Sequence, residues 1–217
     1  MVVQTIRKYN NFEIKENNSF LKIKNSKSEI SLVYRKGNNT QKGYQILFEN
    51  SHSDYMKKIA IPTSETNFEE MIDAGIPLDN NVTYCIVGEG LSNIAEEIYH
   101  NLKANVYIID PFDYNSAKIL LNKLKSQKIP KEIKDKSIKL INRIKLYLNY
   151  NKIKLINEKV DDVLITNPEL FGIADIVIDK LGPLVHARAE DDKQQEKDIY
   201  DAERFLIKKN GHHFILT

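Results

Sequence analysis

Two glycines and one acid carry the clearest chemistry in this 217-residue chain. Gly88 and Gly90 lie in the string Gly88, Glu89, Gly90, Leu91, Ser92, directly after an apolar run at 82–87. The whole chain has only eight glycines, so two within three positions mark a turn where the backbone takes unusual angles or lets a ligand approach closely. A second apolar run, 106–109, closes on Asp110. An acid there can accept hydrogen bonds from both hydroxyls of a ribose, as in nucleotide-binding βαβ units. The amphipathic stretch after the glycine turn would add helix-terminal N–H groups and their partial positive charge. These residues together predict a nucleoside-type cofactor site.

Spacing narrows the choice. A dinucleotide site calls for G-x-G-x-x-G, but Asn93 stands at the third glycine, and Ser92 takes the last small position of a G-x-G-x-G pattern. No Gly-Lys-Ser/Thr follows, which excludes a Walker-type phosphate loop. The single cysteine, Cys85, sits inside an apolar run and reads as a small buried hydrophobe; it rules out an intrachain disulfide and a multi-cysteine zinc site. The acids Glu190, Asp191, Asp192 and Asp198 read as a solvated helix start, where negative charge favours the helix dipole. His212 and His213 are neighbours on a strand and point to opposite faces, so they cannot hold one ion together. No metal site is predicted.

The elements that must position these groups fall into two patterns. Residues 1–60 show period-two alternation broken by Asn, Ser and Gly turns, which predicts an antiparallel meander of about four strands. Residues 61–81 read as a connector with a short helix near 68–74. From 82 to 217 strands alternate with helices: strands at 82–87, 105–110, 153–159, 174–179 and 212–216, helices at about 92–103, 115–127, 132–149, 161–166 and 192–209. The expected fold class is therefore α/β, a doubly wound, mostly parallel sheet preceded by a small antiparallel region.

Composition is that of a globular chain with a sizeable core, 41 % hydrophobic and 29 % charged. No apolar stretch approaches the roughly 20 residues of a membrane span, and the first residues are too short in apolar length for a signal peptide. A cytoplasmic location and no membrane partner are expected. The net charge of +2 favours no partner globally. Between Lys118 and Lys154, however, twelve basic residues face only Glu132 and Asp135. They suit either an anionic partner or the solvated outer face of a helix whose apolar stripe is Ile138, Ile141, Ile144 and Leu148.

On these motifs residues 80–217 resemble a class I S-adenosylmethionine-dependent methyltransferase with a Rossmann-like core. The turn Gly88, Glu89, Gly90, Leu91, Ser92 resembles the family's first motif, which passes beneath the methionine and ribose. Asp110 matches the acid that holds the ribose hydroxyls, and Pro111 and Phe112 would flank the adenine. Lys159 and Val160 match a segment that supplies an adenine contact. The string 174–179 is similar to the fourth motif, whose last residue, Asp179, faces the methyl donor. The resemblance thus implies S-adenosyl-L-methionine as cofactor and methyl transfer to an unidentified small-molecule or macromolecular acceptor. Asp179 and His186 are the candidate catalytic residues; His186 is expected in a loop over the acceptor pocket, where a histidine can serve as base.

Departures from the pattern keep other readings open. Ile86 and Lys159 stand where acids often contact the methionine amine and the adenine. The segment 167–170 looks like an amino-methylation signature but precedes the fourth strand, so it reads as a turn. An aminopropyltransferase-like enzyme and a non-catalytic binding or scaffold member are the alternatives. The strand sequence stops at a fifth strand where the family has two more. The sheet edge near Thr217 is therefore expected to be covered, by the amino-terminal strands or in a homodimer.

Overall fold

The computed structural model describes residues 4–36, 45–50, 58–60, 65–66, 68–180 and 182–216. Most of 61–67, the first part of the expected connector 61–81, lies outside these residues, as does Thr217. Two compact units emerge, one formed by 1–65 with 113–144, the other by 66–112 with 145–217.

In the first unit six antiparallel strands follow one another in sequence order: β1 (Thr5–Tyr9), β2 (Phe12–Glu16), β3 (Phe20–Asn25), β4 (Ile30–Arg35), β5 (Ile46–Asn50) and β6 (Lys58–Ala60). This is two more than the expected four. β1 is exposed along its whole length and β6 is three residues long, so neither shows the apolar alternation that reveals a strand. Register aligns Ile14, Ile23, Leu32 and Phe48 in one row across the sheet, and all four are buried. Helix α3 (Tyr114–Lys125) packs on β3 and β4. Its start is fixed by Asp113, whose side chain accepts from the Ser116 N–H at 2.9 Å. Within this unit the buried Arg143 side chain pairs with Glu65 at 2.7 Å, and Lys139 pairs with the same carboxylate. Burial alone would raise the Glu65 pKa, but these two cations outweigh it and hold the carboxyl below its usual range.

Helix α4 (Lys131–Asn149) spans the boundary between the units. Its buried face runs through Ile133, Ser137, Leu140, Ile144 and Tyr147. Of the expected stripe Ile141 and Ile144 are buried and Leu148 partly so, but Ile138 is 42 % exposed and Leu140 and Tyr147 are inside, so the buried face is shifted from the expected one.

The second unit is a five-stranded parallel sheet in the order β11 (Ile207–Leu216), β10 (Ala174–Lys180), β7 (Thr83–Val87), β8 (Asn105–Ile109), β9 (Ile153–Ile156). On one face, alternate residues Cys85, Val87 and Val177 join Val163, Leu184, Ile199 and Leu206 in one apolar core. These come from α5 (Val160–Thr166), α6 (Pro183–Ala189) and α7 (Lys193–Leu206). The opposite alternation, Tyr84, Ile86, Ile108, Ile176 and Ile178, is equally buried; α2 (Ile94–Leu102), which packs on β8, contributes Ile94, Ala95 and Ile98. A short helix α1 (Phe68–Asp73) packs on α2.

Three expectations are corrected here. The third parallel strand ends at Ile156, not 159, because the chain turns there into α5 with Lys159 at the N-cap position. His186 lies on helix α6 and not in a loop: Pro183 occupies the first helical turn, where a missing N–H costs nothing. The amino-terminal strands do not complete the sheet at Thr217, for they form a sheet of their own, and β11 pairs with β10 alone among the described residues. No helix among the described residues is long and apolar enough to cross a membrane.

Candidate cofactor site

The carboxyl ends of β7 and β8 bring the glycine turn and Asp110 together. Gly88 (φ 69°) and Gly90 (φ 53°) both occupy the left-handed region, which explains why two glycines are needed within three residues. Main-chain pairing continues past β7, the Gly88 N–H donating to the Ile109 carbonyl at 3.0 Å. Asp110 is 3 % exposed. Its Oδ2 accepts from the Gly90 N–H and its Oδ1 from the Phe112 N–H at 2.8 Å. The acid is therefore oriented by the main chain of both turns.

Glu89 serves the turn from inside. Its Oε1 accepts from the Ala95 N–H at 3.1 Å and from the Tyr147 hydroxyl at 2.7 Å, and its Oε2 from the Ser92 hydroxyl at 2.7 Å. Asn93, at the N-cap position of α2, makes no side-chain cap, so Glu89 satisfies an orphan amide of the first turn and places negative charge at the positive helix end. The Asn93 amide instead clasps Thr66, accepting from its N–H at 3.0 Å and donating to its carbonyl at 2.6 Å. That is why no glycine stands at the third position: a long polar side chain holds the incoming strap. The Tyr147 hydroxyl, through the Ser92 carbonyl at 3.0 Å, is a second brace on the turn.

Beyond β8, Phe112 is buried and Pro111 exposed. Asn157, just past β9, donates to the carbonyls of Asp110 at 2.9 Å and Phe112 at 2.6 Å, tying the ends of β8 and β9 together. Lys159 is exposed and Val160 is buried in the core under α5.

At the end of β10 the neighbours of the glycine turn are equally defined. A Cβ on Gly88 would come within 2.6 Å of the Gly182 Cα and 3.0 Å of Pro183 Cδ, so the turns after β7 and β10 are in main-chain contact. Asp179 is fully buried, and its oxygens accept from the N–H groups of Gly182 at 2.8 Å and Leu184 at 3.0 Å. The carboxylate thus caps α6. Burial, then the nearby Glu203 charge, push its pKa up to about 7. His186 is exposed, on the outer side of the same helix. Asp179 and His186 are consequently separated into an inner and an outer position.

Several residues of this region carry no signal in the motifs. Asn93, Tyr147 and Asn157 act through main-chain partners, which no spacing rule reveals. Lys180, half-buried at the end of β10, donates to Thr66 Oγ1; burial depresses its pKa while the charges of Glu89 and Glu70 oppose that. Glu203 does have a sequence signature: it interrupts the apolar stripe Ile199, Ala202, Leu206 of α7 at helical spacing.

No family model matches the chain, and no curated protein does. Among solved structures it is similar to two single-substitution variants of a 16S rRNA (adenine(1408)-N(1))-methyltransferase from Catenulisporales acidiphilia. Identity is 15 % in both; the TM-scores are 0.36 and 0.37 over 67 % and 68 % of this chain. The chain spans 56 % and 60 % of the length of those proteins.

Proposed function

We propose that the second unit binds S-adenosylmethionine and that the protein is a methyltransferase. The observation that supports this reading is the buried Asp110 carboxylate at the end of β8, fixed by the N–H of positive-φ Gly90 from the turn after β7. Asp110 would receive the ribose hydroxyls. The main chain of Gly88 and Gly90, in the left-handed conformation that glycine accepts, would pass beneath the donor. Phe112 and Pro111 would border the adenine, and Lys180 would offer its cation to the amino-acid carboxylate of the donor, in a site where Ile86 offers the amine nothing. When bound, the donor supplies an electrophilic methyl on a sulfonium; the protein's contribution is to hold it and the acceptor at attack distance, which can supply roughly 7–11 kcal/mol. Asp179 acts here as a positioning residue, fixing the Gly182–Leu184 turn against Gly88. His186, exposed on α6, would be the candidate base where the acceptor must lose a proton.

A specific feature favours a second reading, a non-catalytic binding member: both Asp110 oxygens already accept main-chain N–H groups. Calorimetric titration with S-adenosylmethionine separates the two. Saturable binding is expected, competed by S-adenosylhomocysteine and weakened at least about tenfold in Asp110→Ala, since hydrogen bonds to a charged group are worth roughly 1.5–3 kcal/mol. Absence of binding to a folded wild-type chain would leave the binding-member reading. Stronger competition by the decarboxylated donor would point to aminopropyl transfer.

A further inference from the structure

The net charge of +2 hides a segregation that appears once the chain is divided into its two units. The unit of 1–65 and 113–144 carries 20 Lys and Arg against 9 Asp and Glu; the other unit carries 12 against 21. One unit is therefore +11 and the other −9. A uniform solvated surface does not produce that difference. Net charge of one sign on a single module raises the local concentration of a partner of opposite sign.

Within the basic unit the charge is concentrated where α3 turns into α4. Residues 118–134 hold Lys118, Lys123, Lys125, Lys128, Lys131 and Lys134 with Glu132 as the one acid. None of these six lysines pairs with an acid among the described residues, whereas Lys22, Lys36 and Lys139 of the same unit do. Lys128 and Lys131 are exposed.

Aromatic and amide groups adjoin this corner. Lys123 of α3 lies 5.0 Å from the ring centres of both Tyr9 and Phe12, linking the lysine corner to the β1–β2 turn. Tyr9 is 65 % exposed at that turn. Beside it opens a cleft of about 440 Å³ lined by Lys8, Asn10, Asn11, Phe12, Glu13, Lys24 and Ser26. Two cations, two carboxamides and an aromatic edge are the groups that take a phosphate, the edge of a base and its face. Glu13 is held ionised by Lys15, below its usual range, and can accept from a base amino group.

We infer that the basic unit docks a single-stranded nucleic acid, its phosphates along the α3–α4 lysines and a base in the cleft beside Tyr9. The aromatic and carboxamide lining distinguishes this partner from an anionic membrane, which needs charge and an apolar anchor but no base-edge partners. The inference stands apart from the cofactor reading, because docking is measured without a methyl donor.

The test is fluorescence anisotropy of the full chain with a labelled mixed-sequence 20-nucleotide RNA and its DNA counterpart, over a series of salt concentrations. Saturable binding that weakens steeply with salt is expected. Lys128→Glu with Lys131→Glu should weaken it tenfold or more and make the salt dependence shallower. The matched reversal on the other unit, Lys197→Glu with Lys209→Glu, should leave it within about twofold, and thermal melts show that each variant is folded. Tyr9→Ala should weaken binding roughly tenfold, the loss of one base stack. Absence of salt-dependent binding, equal losses in the two double variants, or full affinity in Tyr9→Ala would overturn the proposal. So would binding to phosphatidylserine–phosphatidylcholine vesicles with none to either oligonucleotide.

Discussion

Asp179, Glu203 and His213 meet in the interior of the parallel-sheet unit, on the face covered by α5, α6 and α7. Glu203 is fully buried, and its Oε2 lies 2.9 Å from His213 Nε2 without hydrogen-bonding geometry for either group. Burial pushes the Glu203 carboxyl, like that of Asp179, up to about 7, and holds His213 below the usual histidine value. Arg188 on α6 and Arg204 on α7 are the cations that act on this group. Folded carboxyls with raised pKa values bind protons that the unfolded chain has released. Their contribution to stability is complete below about pH 4 and is lost as pH rises through about 7. His213 works in the opposite sense, its lowered pKa adding stability as pH rises towards the ordinary histidine value. Two carboxyls outweigh one imidazole, so chemical denaturation at a series of pH values should show stability falling towards pH 7. Glu203→Gln should flatten that fall and raise stability above pH 7 by roughly 1–3 kcal/mol, each pKa unit being worth about 1.4 kcal/mol. An unchanged pH profile in the variant would show that Glu203 does not titrate there.

At the scale of elements, the packing of two turns on each other is the feature most exposed to substitution. Gly88 combines positive φ with main-chain contact, while Gly75, also at positive φ (75°), has nothing within 4 Å of an added Cβ. Gly75→Ala therefore carries backbone strain alone, roughly 1 kcal/mol, and Gly88→Ala adds a clash with Gly182, for roughly 2–4 kcal/mol in total. Paired thermal melts should rank the two in that order; equal losses would show that the turns after β7 and β10 do not press on each other. The sequence discloses the glycine turn because glycine type and spacing are local facts. It also discloses three of the parallel strands nearly to the residue, each being a largely apolar run within the sheet. It does not disclose β1, whose pairing with β2 rests on main-chain bonds and exposed side chains, nor helix α6, whose start depends on the cap from Asp179, four residues before Pro183. The shifted face of α4 has a similar cause: Ser137 is buried with its hydroxyl on the Ile133 carbonyl at 2.7 Å, so a polar residue occupies the apolar side.

For the whole molecule, the division into units is what the sequence concealed most. Residues 113–144 cluster with 1–65 although β8 precedes them and β9 follows. A reading along the chain assigns α3 and α4 to the strand–helix alternation around them, and the charge of +11 is then diluted to +2. Non-local packing, which composition cannot report, decides the grouping. The Asp110 site was legible because its parts are the ends of two consecutive strands, whereas its braces Tyr147, Asn157 and Lys180 arrive from elements far along the chain. Whether that site holds an adenosyl group is tested most directly by a crystal structure of the chain grown with saturating S-adenosylhomocysteine. The expected result is both ribose hydroxyls within hydrogen-bonding distance of the Asp110 carboxylate, with the main chain of 88–92 beneath the ligand. A ligand seated elsewhere, or a structure with no ligand at the Asp110 carboxylate, would contradict it.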